Sequence, residues 1–221
     1  MVAVLFFTTF KPKYMKSIFF IDLDNTIYFT KPNEEQLMRG LYNVLEAQDL
    51  GISRAEYERS KEDMLRTPFL KVAEKYGFNQ EAVLKTMDYL ENRSVTEPLT
   101  PSADYHLIRE LIGRKFIVTA GFFKQQTSKV KMLGIADDFE DVVVVDVSVS
   151  NKKEAFEDLI QQHLFDPKEI LIIGDDAYSE IKFGLELGID TFLLDPENRY
   201  LDAETTFRGS DLSNLLTAAG Q

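Results

Sequence analysis

Five short stretches of this chain are apolar with almost no alternation: SIFFI at 17–21, KFIVT at 115–119, VVVV at 142–145, EILIIG at 169–174 and DTFLL at 190–194. A strand with one face in water alternates apolar and polar side chains. Continuous runs rich in Ile, Val and Phe instead read as strands covered on both faces, as in parallel sheets flanked by helices. Helical patterns lie between them. Residues 102–112 follow Pro101 and stop at Gly113, 123–133 stop at Gly134, 152–164 stop before Pro167, and 179–187 stop at Gly188. Glycine just past a helix and proline beyond it are ordinary terminators. Strands alternating with helices of this length predict an α/β fold, a doubly wound, Rossmann-like parallel sheet. The closing DLSNLL, after Ser210 as candidate cap, reads as a last helix on that sheet.

One interval breaks the rhythm. Between Pro32 and Pro98 no strand pattern occurs, and EEQLMRGLYNVLEA, SRAEYERSKEDML, PFLKVAEKYG and QEAVLKTMDYLEN all have helical character. This predicts a helical lobe at 32–98 inserted into a core made of 17–31 and 99–221. Residues 1–16 read as an N-terminal extension. MVAVLFFTTF is apolar but short, and its nearest cations, Lys11 and Lys13, follow it, which is not the order of a secretory signal or a membrane span. The expected compartment is the cytoplasm, with no membrane partner.

In open α/β sheets ligands bind beyond the carboxyl ends of the strands, and the polar residues of interest stand there. The first run leads into Asp22 and Asp24, the second ends at Thr119 with Ala120 behind it, and the fourth leads into Asp175, Asp176 and Glu180. Lys152 and Lys153 open the helix after the third run. Two carboxylates at one strand end repel each other unless something neutralises them. Here composition matters. The chain has no cysteine and only His106 and His163, so thiolate zinc sites and multi-histidine sites are excluded. Both histidines fall in helical patterns away from the strand ends. Oxygen ligands such as Asp22 and Asp175 suit a hard cation that keeps several waters, which points to Mg²⁺. The net charge of −12, from 37 acids against 25 bases, argues against a nucleic-acid polymer as partner. It does not exclude a small phosphorylated substrate, because a metal and one lysine can reverse the potential inside a pocket.

These residues resemble the haloacid dehalogenase-like (HAD) hydrolase superfamily, largely phosphatases, over almost everything from residue 17 to about 217. DLDNT at 22–26 is similar to the first motif, DxDx[TV], and FIVT at 116–119 to the second. Lys152 resembles the lysine of the third motif and GDDAYSE at 174–180 the acid pair of the fourth. TAGFFKQQTSKVKMLGI is similar to the family's TNG-then-Q-then-K-then-LGI run. The resemblance implies an α-helical cap at 32–98 and a phosphoric monoester hydrolase acting through an aspartyl-phosphate. It implies Asp22 as nucleophile, Asp24 as acid and base, and Mg²⁺ on Asp22, the Asp24 carbonyl and Asp175. Thr119, Ala120 and Lys152 would hold phosphate, and Glu180 or Asp176 would act on the metal from behind. DLDNT followed by an apolar residue and Tyr is also similar to pyrimidine nucleotidases. Three departures stand out: Ala120 replaces a common Asn, Lys152-Lys153 replaces Lys-Pro, and Asp176 replaces a common Ser. The spacing to Ala155, Phe156 and Leu159, which puts the apolar face of that helix on the sheet, favours Lys152 over Lys153 without closing the choice. Whether Glu180 or Asp176 is the second acid stays open at this point.

Other readings are a phosphomutase of the same superfamily, a dehalogenase, and a non-catalytic phospho-receiver-like binding protein. An acid at 24 is of no use to a dehalogenase, and a phospho-receiver has another motif order and no helical insertion. In the lobe, Arg54, Arg59, Arg66 and Arg93 are available for substrate contacts, although helical arginines are more often solvated.

Overall fold

The computed structural model describes residues 14–221. In chain order the regular elements are β1 (Ile18–Ile21), α1 (Glu34–Glu46), α2 (Arg54–Met64), α3 (Phe69–Tyr76), α4 (Gln80–Asn92), α5 (Tyr105–Glu110), β2 (Arg114–Ala120) and α6 (Phe123–Leu133). They continue with β3 (Asp141–Val145), α7 (Lys152–His163), β4 (Ile170–Gly174), α8 (Lys182–Glu186), β5 (Asp190–Leu194), β6 (Phe207–Gly209) and α9 (Leu215–Ala219). The six strands form one sheet in the order β3-β2-β1-β4-β5-β6, and every neighbouring pair is parallel. The expected doubly wound α/β fold is therefore present.

The continuous apolar runs have the anticipated cause at the centre of the sheet. Phe19 and Ile21 of β1 face one apolar cluster, while Ile18 and Phe20 face a second on the opposite side. Phe20 stacks on Phe156 of α7 with ring centroids 5.5 Å apart. The first cluster runs on through Leu37, Tyr57, Val72 and Leu90, one from each of α1 to α4. The inserted helices thus share apolar packing with the sheet. At the edge the sequence reading needs correction: the β3 residues Val142 to Val144 are only half-buried, because β3 has a neighbour on one side alone.

The structure differs elsewhere in detail. A sixth strand, β6, was not legible in the sequence, since three residues including Arg208 and Gly209 carry no periodicity. The last helix begins after Asn214 rather than after Ser210. The helix expected over 102–112 shortens to α5, and the carboxylate of Asp104, just before it, accepts the Leu212 N–H at 2.7 Å. The segment expected as one helix from Ser179 splits into a π-type turn at Ala177–Ile181 and α8, with Ser179 in a non-helical conformation. Of the expected N-terminal extension, residues 1–13 lie outside the described residues. Lys16, placed by the sequence in that extension, is buried; its ammonium meets the Lys168 carbonyl and Asp190, each at 2.7 Å. Among the described residues no helix is long and apolar enough to cross a membrane.

Candidate active site

The order of the sheet reverses between β1 and β4, and a crevice at such a reversal is the usual ligand site of an open α/β sheet. Asp22 follows β1 and Asp175 follows β4, so this pairing brings together two acids far apart in sequence. The Asp22 N–H continues the ladder by donating to the Ile173 carbonyl at 2.9 Å. Asp22, Asp175 and Glu180 offer carboxylate oxygens that all lie within 4.8 Å of one another. Asp22 and Glu180 are buried.

Glu180 reaches this point because of the turn that broke the expected helix. One of its oxygens accepts the Asp176 N–H at 2.9 Å, and the other meets the Lys152 ammonium at 2.8 Å. Gly174, the last residue of β4, makes room for it. A Cβ there would overlap Glu180 Oε1 and fall 2.6 Å from its Cδ. The Asp176 carboxylate is turned away and accepts the Tyr178 N–H at 2.8 Å. Of the two acids that the sequence left open, Glu180 is the one in the cluster.

Lys152 Nζ is 2.5 Å from Asp22 Oδ1, with both side chains buried. Its placement follows from α7. Asn151 caps the helix by accepting the Lys153 and Glu154 N–H groups, while Ala155, Phe156 and Leu159 turn the apolar face onto the sheet. That phase aims Lys152 at the strand ends and sends Lys153 outward to Glu186 at 2.8 Å.

Charge in this pocket is unbalanced. Burial, reinforced by repulsion from Glu180 and Asp24, pushes the Asp22 carboxyl up to about 7 even with Lys152 beside it. Burial and the Asp22 and Glu180 charges raise Asp175 well above the usual carboxylate range. Burial works against the Lys152 ammonium, yet the combined pull of Asp22 and Glu180 lifts its pKa well above that of an ordinary lysine. Three clustered carboxylates face the Lys152 ammonium and, from the rim, an Arg66 guanidinium that is shared with Glu197, so the cluster stays short of positive charge. An all-oxygen donor set of this kind fits a hard divalent cation.

Asp24 belongs to a different set of contacts. Its carboxylate accepts from Lys129 at 2.7 Å, from Gln126 at 2.7 Å and from the hydroxyl of the fully buried Tyr28. These donors outweigh burial and hold the carboxyl below its usual pKa. Thr119 is buried near the end of β2, and its hydroxyl accepts from Gln126 at 2.6 Å. Ala120, the last residue of β2, stands in register with Val145. The sequence reading noted the Q and K of the run after Thr119 but gave them no role. Gln126 and Lys129 are separated from Asp24 by 102 and 105 positions, so no local pattern discloses their contact with it.

The inserted helices supply one further side chain. Arg66, just after α2, lies 3.5 Å from Asp175 and 3.0 Å from Glu197. It borders a cleft of about 200 Å³ lined also by Asn25, Phe29, Lys31, Leu65 and Glu197. The other lobe arginines lie elsewhere: Arg54 pairs with Glu58, Arg93 donates to the Leu37 carbonyl at 2.6 Å, and Arg59 is exposed. Neither histidine joins the cluster; His163 stacks on Phe165 at 4.9 Å.

Residues 16–188 match the family described as haloacid dehalogenase-like hydrolase. The chain is 26% identical over 195 residues to the HAD-hydrolase YfnB of Bacillus subtilis (strain 168), covering 80% of this chain and 83% of that protein. The crystal structure of YfnB bound to magnesium superposes with a TM-score of 0.68 at 21% identity, over 91% of this chain and 97% of that one. A haloacid dehalogenase-like family hydrolase from Streptococcus pneumoniae gives a TM-score of 0.67 at 16% identity, over 91% and 97%. A 2-haloacid dehalogenase from Pseudomonas syringae gives 0.58 at 17%, over 91% and 96%.

Proposed function

The chain belongs to the haloacid dehalogenase-like hydrolases, and from that membership we propose that it is a Mg²⁺-dependent cytoplasmic phosphatase of small phosphorylated metabolites such as nucleotides or sugar phosphates. One observation carries the reading: an acid cluster short of positive charge stands beside a second, separately held acid at Asp24. Displacement of halide from a haloacid needs neither. An uncompensated cluster would also repel the carboxylate of such a substrate, whereas a cation-loaded one attracts a phosphoryl group.

Uncatalysed phosphate-monoester hydrolysis is so slow that enzymes accelerate it by up to ~10²¹-fold, and covalent catalysis divides that task. In this reading an Asp22 oxygen attacks phosphorus as the ester P–O bond breaks. Asp24, ionised in the free protein, takes up the proton carried in by the phosphate monoanion and passes it to the departing oxygen. Asp24 then takes a proton from water, which attacks the aspartyl-phosphate, frees phosphate and restores the Asp22 carboxylate. Lys152 neutralises Asp22 and the transferring group, while the Thr119 hydroxyl and the Ala120 N–H hold phosphoryl oxygens. Asp22, the Asp24 carbonyl and Asp175 would hold Mg²⁺, with Glu180 beside them. Once bound, the ion supplies Lewis-acid neutralisation of the phosphoryl oxygens. The inserted helices at 32–98 act as a cap over the site. The magnesium-bound YfnB structure, in which interdomain movement is described, supports both the ion and a mobile cap.

The test is phosphate release from a generic aryl phosphate by the purified protein, with Mg²⁺ and with EDTA. Release should require the ion and vanish in Asp22→Asn, which is nearly isosteric but a poor nucleophile. Wild-type rates in Asp22→Asn, or halide release from a 2-haloacid without phosphate release, would overturn the reading.

A further inference from the structure

Gln126 and Lys129 are three residues apart on α6, a spacing that puts both on one helix face. That face meets Asp24. Gln126 is 2% and Lys129 7% exposed, and a buried amide or ammonium is retained only with polar partners. Their partners are unusually concentrated. The Gln126 amide nitrogen is 2.7 Å from Asp24 Oδ2 and 2.6 Å from Thr119 Oγ1. Lys129 Nζ is 2.7 Å from Asp24 Oδ1, and the Tyr28 hydroxyl donates to that same oxygen. Both carboxylate oxygens of Asp24 are thus engaged.

We propose that Gln126 and Lys129 are positioning residues that lock the Asp24 carboxyl and the Thr119 hydroxyl into one fixed relation, so that both address a single phosphoryl position. What they position rests on the phosphatase reading; the positioning itself does not. An amide NH₂ has two hydrogens, and the Asp24 and Thr119 oxygens are its two nearest acceptors, with the Ala120 carbonyl farther off at 3.2 Å. A Thr119 oxygen that already accepts from Gln126 keeps its own proton free to donate to a phosphoryl oxygen. Lys129 fixes the other end of the Asp24 carboxyl, so that carboxyl cannot rotate without losing an ion pair. The backbone is shaped around this arrangement. Gly121 has φ +144°, and a Cβ there would lie 3.2 Å from Gln126 Cδ and 3.3 Å from Cγ. Acid–base catalysis needs the group within about 2.6–3.2 Å of its proton, and a misplacement of ~1 Å can reduce a rate by ~10²-fold.

Lys129→Met and Gln126→Met, made singly, test this, with Lys129→Arg as the variant that keeps a cationic donor. The first readout is kcat/KM, which covers the step in which the leaving group departs, for aryl phosphates with good and poor leaving groups. A misplaced Asp24 should lower kcat/KM for the poor leaving group by ~10²-fold and for the good one by less than tenfold, with Lys129→Arg recovering most of the loss. An equal fall for both, or none, would overturn the proposal, since a mere staple between α6 and β1 has no reason to discriminate between leaving groups. The second readout is a crystal structure of each Met variant, in which Asp24 should leave its present rotamer. Asp24 unmoved in both structures would overturn the positioning role even for a protein that proved to hydrolyse no phosphate ester. A wild-type protein inactive on all phosphate esters, but with Asp24 displaced in the variants, would retire the phosphatase reading and leave the positioning standing. Two Met variants guard against one that fails to fold.

Discussion

The Lys152 ammonium lies 2.5 Å from the Asp22 carboxylate, and each side chain is only 7% exposed. One residue further along the helix, Lys153 reaches the exposed Glu186 instead. This difference in burial separates two lysines that are chemically identical in the sequence.

Lys152→Ala should therefore abolish turnover and destabilise the fold, since it leaves Asp22 and Glu180 buried against each other. Removing one partner of a buried ion pair costs about 3–5 kcal/mol. Lys153→Ala removes only a solvent-screened surface pair and should change little. Thermal melting and aryl-phosphate turnover of both variants check this. Comparable losses at the two positions would contradict the assignment.

The same cluster sets a dependence on pH. Burial pushes the Asp22 carboxyl up to about 7, well above an ordinary carboxylate, and raises Asp175 in the same direction. Between about pH 4 and 7 the native state keeps protons that the unfolded chain releases, so stability falls as pH rises through that window. Asp24 has the opposite sign: its lowered pKa contributes stability above the ordinary carboxylate range that is lost in acid. The cation-free protein should melt at a lower temperature at pH 8 than at pH 5, with a weaker trend in Asp22→Asn. Mg²⁺ should raise the melting temperature more at pH 8, because at pH 5 it must first displace protons. A melting temperature that climbs from pH 5 to 8 without the ion would refute the first of these outcomes.

Gly174→Ala is a third check, and it touches the site without altering a polar atom. The added Cβ would overlap Glu180, which could not then keep both Lys152 and the Asp176 N–H. Mg²⁺ affinity measured by calorimetry should drop by about 10–100-fold, the usual range when the support of a metal ligand is lost. An affinity equal to wild type would mean that Glu180 takes no part in holding the ion.

How much of this was legible in the sequence depends on distance along the chain. The central strands announced themselves because β1 and β4 are covered on both faces, and the acids beyond them could be placed at one sheet edge from the crossover rule alone. The edge strand β6 is too short and too polar for any pattern to find. The choice between Lys152 and Lys153 needed the phase of α7, which Ala155, Phe156 and Leu159 made readable. The choice between Glu180 and Asp176 was not readable, because it depends on a π-type turn that no residue pattern marks. Gln126, Lys129 and Arg66 reach their partners across about a hundred residues, and a contact of that kind is created by the tertiary fold.

Asp24 is the residue on which the phosphatase reading most depends. Its side chain stands outside the cluster formed by Asp22, Asp175 and Glu180, so Asp24→Asn should leave Mg²⁺ affinity nearly intact. The fold should weaken by about 1–3 kcal/mol, because an amide at 24 sets one N–H against the donors of Lys129 or Gln126. Loss of the acid and base should slow phosphate release by ~10²–10⁴-fold. The two halves of the reaction should suffer differently with an activated substrate. A good leaving group departs with little help, so Asp22 is still phosphorylated, whereas water has lost the group that deprotonates it. Rapid-quench experiments on such a substrate should therefore show aspartyl-phosphate building up in Asp24→Asn and not in wild type. A variant that hydrolyses good and poor leaving groups at the wild-type rate, with no accumulated intermediate, would remove Asp24 from the mechanism. The distinction from a dehalogenase would then rest on the acid cluster alone.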